Sequence, residues 1–357
     1  MRERLVSIIT KALEMGAHDV HIKAGFPPVL RIAGVVRRVD LLPFSPKEME
    51  TLVCEILGDR RIPELRSHGQ SDCPYEIDGL CRMRVNVFLQ RNSLAISMRL
   101  IPNKIRELSD LGFTLNTVEL LTGVQKGMIL LTGATNSGKS TTMAALIHHI
   151  ARHEPAHIIS IEDPIEYVFQ GYPQSIISQR QLGEDTPTFH SGLAAALRED
   201  PDVIVIGELR DQDTVETCLK AAETGHLVLA TLHTGSVVQS ITRMINIFPS
   251  HARDGIRYML ASCLKMILSQ SLLPAADGKS RVLVYELLPM LSSVCNLLRQ
   301  RKIHEIGTIL RIGRNAGCVP KSDILKILLR EKKINESDIP RDLQKEMSEQ
   351  EAPGGAS

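Results

Sequence analysis

The chain of 357 residues contains no tryptophan, and aromatic residues make up only 3% of it. The chain also has no excess of charge of either sign, because it contains 42 Lys and Arg and 41 Asp and Glu, for a net charge of +1. Such a balance supplies no overall field to attract DNA or an anionic membrane. Basic and aromatic residues do not interleave as they do in proteins that bind single strands. A nucleic-acid motor is therefore disfavoured, and we expect no nucleic-acid partner.

Long hydrophobic runs are absent as well, and none approaches the roughly 20 residues that a membrane span needs. The first segment, MRERLVSIITKALEMG, is interrupted by charges and places its apolar residues on one helical face. This pattern predicts an amphipathic helix rather than a signal peptide. We expect no integral membrane segment and a cytoplasmic location.

Seven cysteines are present, an odd number, and no two have C-x-x-C spacing. A structural disulfide framework and a four-cysteine zinc site are therefore disfavoured. A reducing compartment fits this usage, with the cysteines acting as small buried apolar side chains.

The pattern of apolar residues divides the chain into two domains of different class. Residues 1–101 predict a small α+β domain, with strands in HDVHIKAG, PPVLRIAGVVRRVD, RMRVNVFLQRN and LAISMRLI and a helix over Ser45–Leu57. A linker is expected at 102–116. From 117 to 345, apolar strands alternate with amphipathic helices, which is the signature of a parallel α/β sheet, and residues 346–357 have the composition of a disordered tail.

The second domain is predicted to end in helices, from about residue 290 to 345. Its predicted strands are Met128–Thr132, His157–Ile161, Val203–Ile206, Leu227–Thr231 and Val282–Glu286. Its other predicted helices are Lys139–Ala151, Phe189–Arg198, Thr214–Thr224, Val237–Ile247 and Ala252–Leu272.

Between the first of these strands and the first helix lies a phosphate-binding motif, G-x-x-x-x-G-K-[ST]. Small residues let backbone N–H groups turn inward around the phosphates, and the helix N-terminus adds partial positive charge. We predict that Lys139 reaches the β- and γ-phosphates of ATP and that the Ser140 hydroxyl binds Mg²⁺. Asn136 stands where many such loops carry glycine, and asparagine tolerates left-handed geometry. The predicted loop consists of Gly133, Ala134, Thr135, Asn136, Ser137, Gly138, Lys139, Ser140 and Thr141.

Hydrolysis also needs a carboxylate to hold the metal or to orient the attacking water. Two strands end in acidic residues, one in Glu162, Asp163 and, after a proline, Glu166, the other in Glu208. Ligands bind at the carboxyl ends of strands in such sheets. We predict that Glu208 is the general base and a metal ligand, that Asp163 supports the metal, and that Glu162 and Glu166 support the metal or the water. The alternative is that these acids are solvated loop residues.

The stretch GHLVLATLHTGS places His226 and His233 at the two ends of one apolar strand. Histidine at a strand end is more often structural than catalytic. This strand is nevertheless expected beside the strand of the phosphate-binding loop, so we predict that His233 senses the γ-phosphate. Its spacing does not fit a helical zinc pair.

In their order, these segments resemble the ATPases of type II and type IV secretion systems, and among them the PilT/PilU pilus retraction ATPases. GATNSGKSTT is similar to that family's Walker A motif, IEDPIEY to its Asp box, LREDPDVIVIGELRD to its Walker B motif and GHLVLATLHT to its His box. The likeness runs from about residue 1 to 335 and includes AGFPPVLRIAGVVRRV. It implies a PAS-like N-terminal domain, a RecA-like motor domain and a homohexamer.

The resemblance also implies nucleotide bound between the two domains, with arginines approaching from the first. The matching positions are Arg82, Arg84 and Arg99, where Arg82 would contact nucleotide and all three would neutralise transition-state charge. Solvated strand arginines are the alternative. The implied partners are a PilC-like platform protein of the inner membrane, which would hold the motor peripherally at that membrane, and a second retraction ATPase.

Two C-terminal stretches depart from the family pattern. SVCNLLRQ at 293–300 has Cys295 and Gln300 where PilT has Arg and Glu, and GCVPKSD at 317–323 replaces a GMQT-like stretch. These departures leave ATP chemistry intact, and they raise the alternative of a motor that retracts pili only together with a partner ATPase. An export ATPase of a type II or type IVb secretion system is a further alternative.

Overall fold

A computed structural model describes residues 1–32, 34–101, 105–278, 280–341, 343–344 and 347. The chain divides into two compact units, the first comprising Met1–Lys104 and Glu166–Val168, the second Ile105–Ile165 and Phe169–Ser357. The predicted boundaries at 101 and 117 stay a prediction. Residues 102–104 of the predicted linker lie outside the described residues, as does the predicted tail at 346–357 apart from Met347.

The first unit is an antiparallel sheet of six strands with two helices. The order across the sheet is β3-β2-β1-β6-β5-β4, and one hydrophobic core joins the sheet to the helices. Its elements are α1 (Arg2–Glu14), β1 (Ala17–Lys23), β2 (Phe26–Ile32), β3 (Val35–Arg38), α2 (Pro46–His68), β4 (Gln70–Ile77), β5 (Cys81–Gln90) and β6 (Ser93–Ile101).

The start of α2 follows directly from its sequence. The Ser45 hydroxyl accepts a hydrogen bond from Glu48 N, and the Glu48 carboxylate accepts one from Ser45 N at 2.7 Å, which forms a capping box. The helix was predicted to end at Leu57, and Gly58 does interrupt it with a φ of 60°, but helical structure resumes and continues to His68. The prediction therefore missed the second half of α2, and it also missed β4.

The second unit is a seven-stranded sheet with helices on its faces. Its strand order is β13-β12-β7-β11-β10-β8-β9, and every neighbouring pair is parallel except β12 with β13. Its elements are α3 (Leu115–Thr122), β7 (Gly127–Thr132), α4 (Lys139–His153), β8 (His157–Glu162), β9 (Ile176–Gln181), α5 (Phe189–Ala196), β10 (Val203–Ile206), α6 (Gln212–Glu223), β11 (Leu227–Leu232), α7 (Val237–Asn246), α8 (Arg253–Cys263), β12 (Leu264–Pro274), β13 (Arg281–Pro289), α9 (Ser292–Arg299), α10 (Ile306–Ile312) and α11 (Lys321–Arg330).

The predicted helix over Ala252–Leu272 is wrong in its second half. Helix α8 ends at Cys263, and the chain continues at once as β12, which is buried along most of its length. A strand buried on both faces lacks the regular alternation of apolar and polar residues, so its pattern is hard to distinguish from that of a buried helix. The expected α/β class, with a small α+β unit before a larger parallel-sheet unit, is confirmed. No helix among the described residues is long and apolar enough to cross a membrane.

Candidate nucleotide-binding site

Four neighbouring parallel strands bring the predicted site residues to one edge of the second sheet. Across the sheet the strands stand in the order β7, β11, β10 and β8. Gly133 follows β7, His233 follows β11, Glu208 lies two residues after β10, and Glu162 is the last residue of β8. Because the strands are parallel, all four residues lie at the same edge. The sequence motifs that are far apart along the chain thus belong to one region of the second unit.

The loop after β7 has the backbone geometry of a phosphate cradle. Gly133, Asn136 and Gly138 have positive φ angles of 147°, 65° and 92°. A Cβ atom on Gly133 would lie 2.4 Å from both the Gln270 carbonyl oxygen and Ser137 Oγ. Only glycine allows β12 and the loop to approach this closely. Asn136 adopts the left-handed geometry that asparagine tolerates.

Lys139 is the first residue of α4, and its side chain is 8% exposed. Its ammonium group donates to the carbonyl oxygens of Gly133 at 2.7 Å and Ala134 at 2.9 Å, within its own loop. Ser137 Oγ is buried in the same loop and has no hydrogen-bond partner in the described part of the chain. A buried cation that donates to backbone carbonyls, beside an unsatisfied hydroxyl and a helix N-terminus, fits an anionic ligand such as phosphate.

Lys139 also contacts His233, which in turn contacts Glu208. The Lys139 ammonium lies 3.4 Å from His233 Nδ1, and His233 Nε2 lies 3.4 Å from Glu208 Oε1. An ammonium group can only donate, so Nδ1 must carry the lone pair and Nε2 the proton that faces the carboxylate. The hydrogen bonds of this polar chain therefore all point the same way, because Lys139 donates to His233 and His233 donates to Glu208.

Arg210 extends this polar chain, and sequence reasoning missed it. Its guanidinium donates to Glu208 Oε2 at 2.7 Å and pairs with Asp163 Oδ2 at 3.1 Å. Burial lowers the pKa of Arg210, but the hydrogen bonds and charges of the two carboxylates outweigh burial and raise it above its ordinary value. Arg210 thus joins Glu208 and Asp163, which follow different strands. An arginine two residues after the acid was the only signal in the sequence.

Gly207 fixes where Glu208 leaves β10. Its N–H donates to the Ile161 carbonyl at 2.8 Å, and Thr231 Oγ1 donates to its carbonyl oxygen. A Cβ atom on Gly207 would lie 3.2 Å from the Cα of Glu162, so a larger residue would separate the two strand ends. The glycine before the acid therefore keeps Glu208 close to the end of β8.

Glu162 is held at the end of β8, whereas Glu166 belongs to the other unit. Glu162 Oε1 accepts hydrogen bonds from Ser160 Oγ at 2.8 Å and from Gln179 Nε2 at 3.1 Å. Glu166 lies with Met1–Lys104 in the division of the chain, although it follows Glu162 closely in sequence. The structure therefore groups Glu162 and Asp163, but not Glu166, with the phosphate-binding loop.

The three predicted arginines lie in the first unit. Arg82 and Arg84 alternate with buried residues along β5, so they lie on the same face of the sheet. Arg84 stands directly opposite Arg99 on the neighbouring strand β6, which places Arg99 on that face as well. Arg99 Nε donates to Asp19 Oδ1 at 3.0 Å. Their predicted approach to nucleotide stays a prediction.

The remaining predicted loop residues occupy the open side of the cradle. Ala134, Thr135 and Ser140 are exposed, and Thr141 is half-buried. Among the described residues, no three His, Cys, Asp or Glu side chains lie close enough to bind a metal ion by themselves. Mg²⁺ usually keeps several waters and shares its ligands with substrate phosphates, which fits one hydroxyl and one or two nearby carboxylates.

Comparison with known proteins identifies the family. The family model described as type II/IV secretion system protein matches residues 1–331. The chain belongs to this family. The match covers most of both units and every predicted site residue.

Several members of the family are similar over most of their length. The type IV pilus retraction ATPase PilT of Pseudomonas aeruginosa is 35% identical over 325 residues, which cover 91% of this chain and 94% of PilT. A twitching motility protein of Neisseria gonorrhoeae is 38% identical, covering 85% and 81%. The type IV pilus ATPase PilU of Pseudomonas aeruginosa is 35% identical, covering 85% and 79%.

Solved structures show the same arrangement of the chain. A crystal structure of the pilus retraction motor PilT with bound ADP is 40% identical, with a TM-score of 0.84 and coverage of 95% of this chain and 98% of that one. The ATPase DotB of Legionella pneumophila is 26% identical, with a TM-score of 0.83 and coverage of 97% and 95%. These matches confirm the predicted class, an ATPase of the PilT/PilU type within the type II and type IV secretion superfamily.

Proposed function

We propose that the chain is a hexameric ATPase motor that powers retraction of a type IV pilus and thereby twitching motility. The observation that carries the ATPase mechanism is the connected polar chain Lys139–His233–Glu208–Arg210–Asp163 beside the phosphate-binding loop. Similarity to PilT over 91% of this chain supports the assignment to pilus retraction.

In this proposal the loop binds the phosphates of ATP through its backbone N–H groups. The Lys139 ammonium exchanges the Gly133 and Ala134 carbonyls for the β- and γ-phosphate oxygens, which are stronger, charged acceptors. Bound Mg²⁺ would neutralise negative charge that develops on the phosphates during hydrolysis. Ser140 would hold that ion, with Glu208 and Asp163 as its nearby carboxylates.

Glu208 takes the proton of the attacking water. Arg210 fixes one carboxylate oxygen and His233 contacts the other, so the carboxylate is oriented before substrate arrives. Because His233 touches both Lys139 and Glu208, movement of Lys139 towards the γ-phosphate would be felt at the base. This contact supports the assignment of His233 as the sensor of the γ-phosphate.

Arginines of the first unit would complete the site when nucleotide closes the two units. Arg82, Arg84 and Arg99 share one face of its sheet, which supports a common role in neutralising transition-state charge. Closure in six subunits would turn a PilC-like platform protein at the inner membrane, to which a cytoplasmic motor would bind peripherally.

The hydrolysis part is tested with purified protein. We expect ATP turnover that requires Mg²⁺, disappears with EDTA and returns when Mg²⁺ is added in excess. Turnover that survives EDTA would contradict the assignment of Ser140 and the nearby carboxylates as the metal site.

The cellular part is tested by deleting the gene in the organism that encodes it. A retraction motor predicts cells with more surface pili and no twitching, restored by the wild-type gene. Normal pili with a defect in protein secretion would instead show an export ATPase, a candidate that the family description, type II/IV secretion system protein, also fits.

A second candidate within pilus retraction is a motor that works only with a partner ATPase. Cys295 and Gln300, which depart from the family pattern in the stretch 293–300, favour it. Cys295 is half-buried and packs against the core of the second unit. Twitching supplied by this chain alone, in a strain without other retraction ATPases, would contradict partner dependence.

A further inference from the structure

A buried lysine outside the proposed hydrolytic machinery lies close to the loop that carries His233. The Lys321 side chain is 7% exposed, although lysine is among the residues least often buried. It is the first residue of α11, in the stretch GCVPKSD that has no role in the proposed chemistry. Burying a charge costs free energy unless hydrogen bonds or an opposite charge compensate for the lost water.

The Lys321 ammonium donates to the carbonyl oxygen of Gly235 at 2.5 Å. Gly235 is two residues after His233, in the short loop between β11 and α7. Ser269 Oγ of β12 donates to the same carbonyl at 3.1 Å and lies 3.4 Å from the Lys321 ammonium. The position of this loop is therefore fixed by a side chain from α11 and by one from the strand next to β7.

The other side of the same loop is held by a buried carboxylate. Glu286 of β13 is 6% exposed, and its Oε1 accepts a hydrogen bond from Val237 N at 2.6 Å. A cation and an anion, both buried, thus hold backbone groups that are two residues apart. Charged groups make stronger hydrogen bonds than neutral ones, which restricts this loop more than packing alone would.

The start of α11 is itself fixed to the sheet. Val319 forms an antiparallel bridge with Leu287 of β13, with N–H to carbonyl distances of 2.8 and 2.9 Å. Lys321 follows two residues later. A displacement of the Gly235 carbonyl would therefore act on α11 directly, and a displacement of α11 would act on the loop of His233.

We propose that Lys321 is a positioning residue for His233, and that it couples the C-terminal helix α11 to the nucleotide state of the site. This inference rests on the proposed role of His233 in hydrolysis. In the described part of the chain, the Lys321 ammonium makes its hydrogen bonds to Gly235 and Ser269, outside the phosphate-binding loop. It holds the Gly235 carbonyl, and the loop places His233 between Lys139 and Glu208. In the proposed mechanism, binding of nucleotide changes the partner of Lys139. Coupling of this kind is reciprocal between the two sites.

The first test measures turnover in a double-mutant cycle. Lys321→Met removes the charge and the donors but keeps an unbranched side chain, and the Gly235 carbonyl retains Ser269. We expect kcat to fall about tenfold, because a small displacement of a catalytic group is costly, and KM for ATP to change less than about twofold. In a His233→Ala background, the same substitution should change kcat by less than about twofold, because its effect passes through His233.

Arg330→Met is the matched control, because Arg330 is an exposed cation at the other end of α11. It should keep wild-type turnover. Lys321→Arg restores a donor and should keep more turnover than Lys321→Met. The proposal is overturned if Lys321→Met lowers kcat by the same factor with and without His233, since that result indicates general destabilisation.

A second measurement separates this inference from the role of His233. Hydrogen exchange of α11 amides should respond to ADP in the wild-type chain and lose that response in Lys321→Met. If His233→Ala turns over normally, the role of His233 in hydrolysis fails, and hydrogen exchange alone decides the coupling. An equal response of α11 to ADP in both proteins would refute the coupling.

Discussion

Glu208→Gln is the substitution whose effect the structure defines most sharply. Both carboxylate oxygens are engaged, Oε2 by Arg210 at 2.7 Å and Oε1 by His233 at 3.4 Å. Glutamine has nearly the same shape and keeps one oxygen, which can still accept from Arg210. Its amide NH₂ then faces His233 Nε2, which already carries a proton because Nδ1 faces the Lys139 ammonium. Glutamine therefore removes the base and also breaks the direction of the polar chain.

The expected loss follows from these two effects. General base catalysis contributes about 100- to 10,000-fold, which corresponds to about 3–5 kcal/mol of transition-state stabilisation. We expect the decrease in kcat to lie near the upper end of this range, because the substitution also misorients Arg210 and His233. Affinity for ATP should change by less than about threefold, since Glu208 contacts Arg210 and His233 rather than the loop that binds the phosphates.

The assay is phosphate release at saturating ATP and Mg²⁺, together with direct titration of a fluorescent nucleotide. Glu216→Gln is the matched control, because Glu216 is a surface acid of α6 that pairs with the exposed Lys220 at 2.7 Å. It should keep wild-type turnover, as surface ion pairs contribute little. Turnover of Glu208→Gln above about one third of the wild-type rate would refute the assignment of Glu208 as the base.

Three further predictions concern the loop and the helix that follows it. Lys139→Ala should lower phosphate release to about 1% or less, because it removes the one cation of the loop; near-normal release would contradict its role. Gly133→Ala should weaken nucleotide binding at least about tenfold, because its Cβ atom would lie 2.4 Å from Gln270 O and Ser137 Oγ. Gly255→Ala is the control and should bind nucleotide normally, because a Cβ atom there would have nothing within 4 Å. Equal nucleotide titration curves for the two variants would contradict this reasoning. Burial, and then the charge of neighbouring His153, lower the pKa of His149. The folded state therefore disfavours its protonation, and the stability it contributes is present above the ordinary pKa of about 6.5 and lost as pH falls below it. His149→Gln should reduce the fall in Tm between pH 7 and pH 5.5, and an unchanged fall would contradict this cause.

Much of the second unit was predictable because its motifs are local. The spacing of Gly133, Gly138 and Lys139 identifies the phosphate-binding loop, and the apolar runs before Glu208 and His233 identify their strands. Parallel strands then place these residues at one edge of the sheet, which the structure shows. Local pattern and strand order are enough for this part of the site.

Other features depend on contacts between distant parts of the chain. Arg210 contacts Asp163 across the ends of two strands, and no spacing in the sequence indicates that pair. Lys321 stands at the start of a helix, where a lysine is normally solvated, yet it is buried against the loop of His233. The strand β12 escaped prediction because it is buried on both faces and lacks the alternation of apolar and polar residues that marks a half-exposed strand. Glu166 lies near Glu162 in sequence but groups with the first unit.

The central proposal is that this chain converts ATP hydrolysis into pilus retraction. Its most direct test is to label pili fluorescently in cells that lack the gene and to measure retraction in real time. Cells complemented with the wild-type gene should retract their pili, and cells complemented with Lys139→Ala should extend pili and leave them extended. Equal retraction with both genes, or in cells with neither, would contradict the proposal.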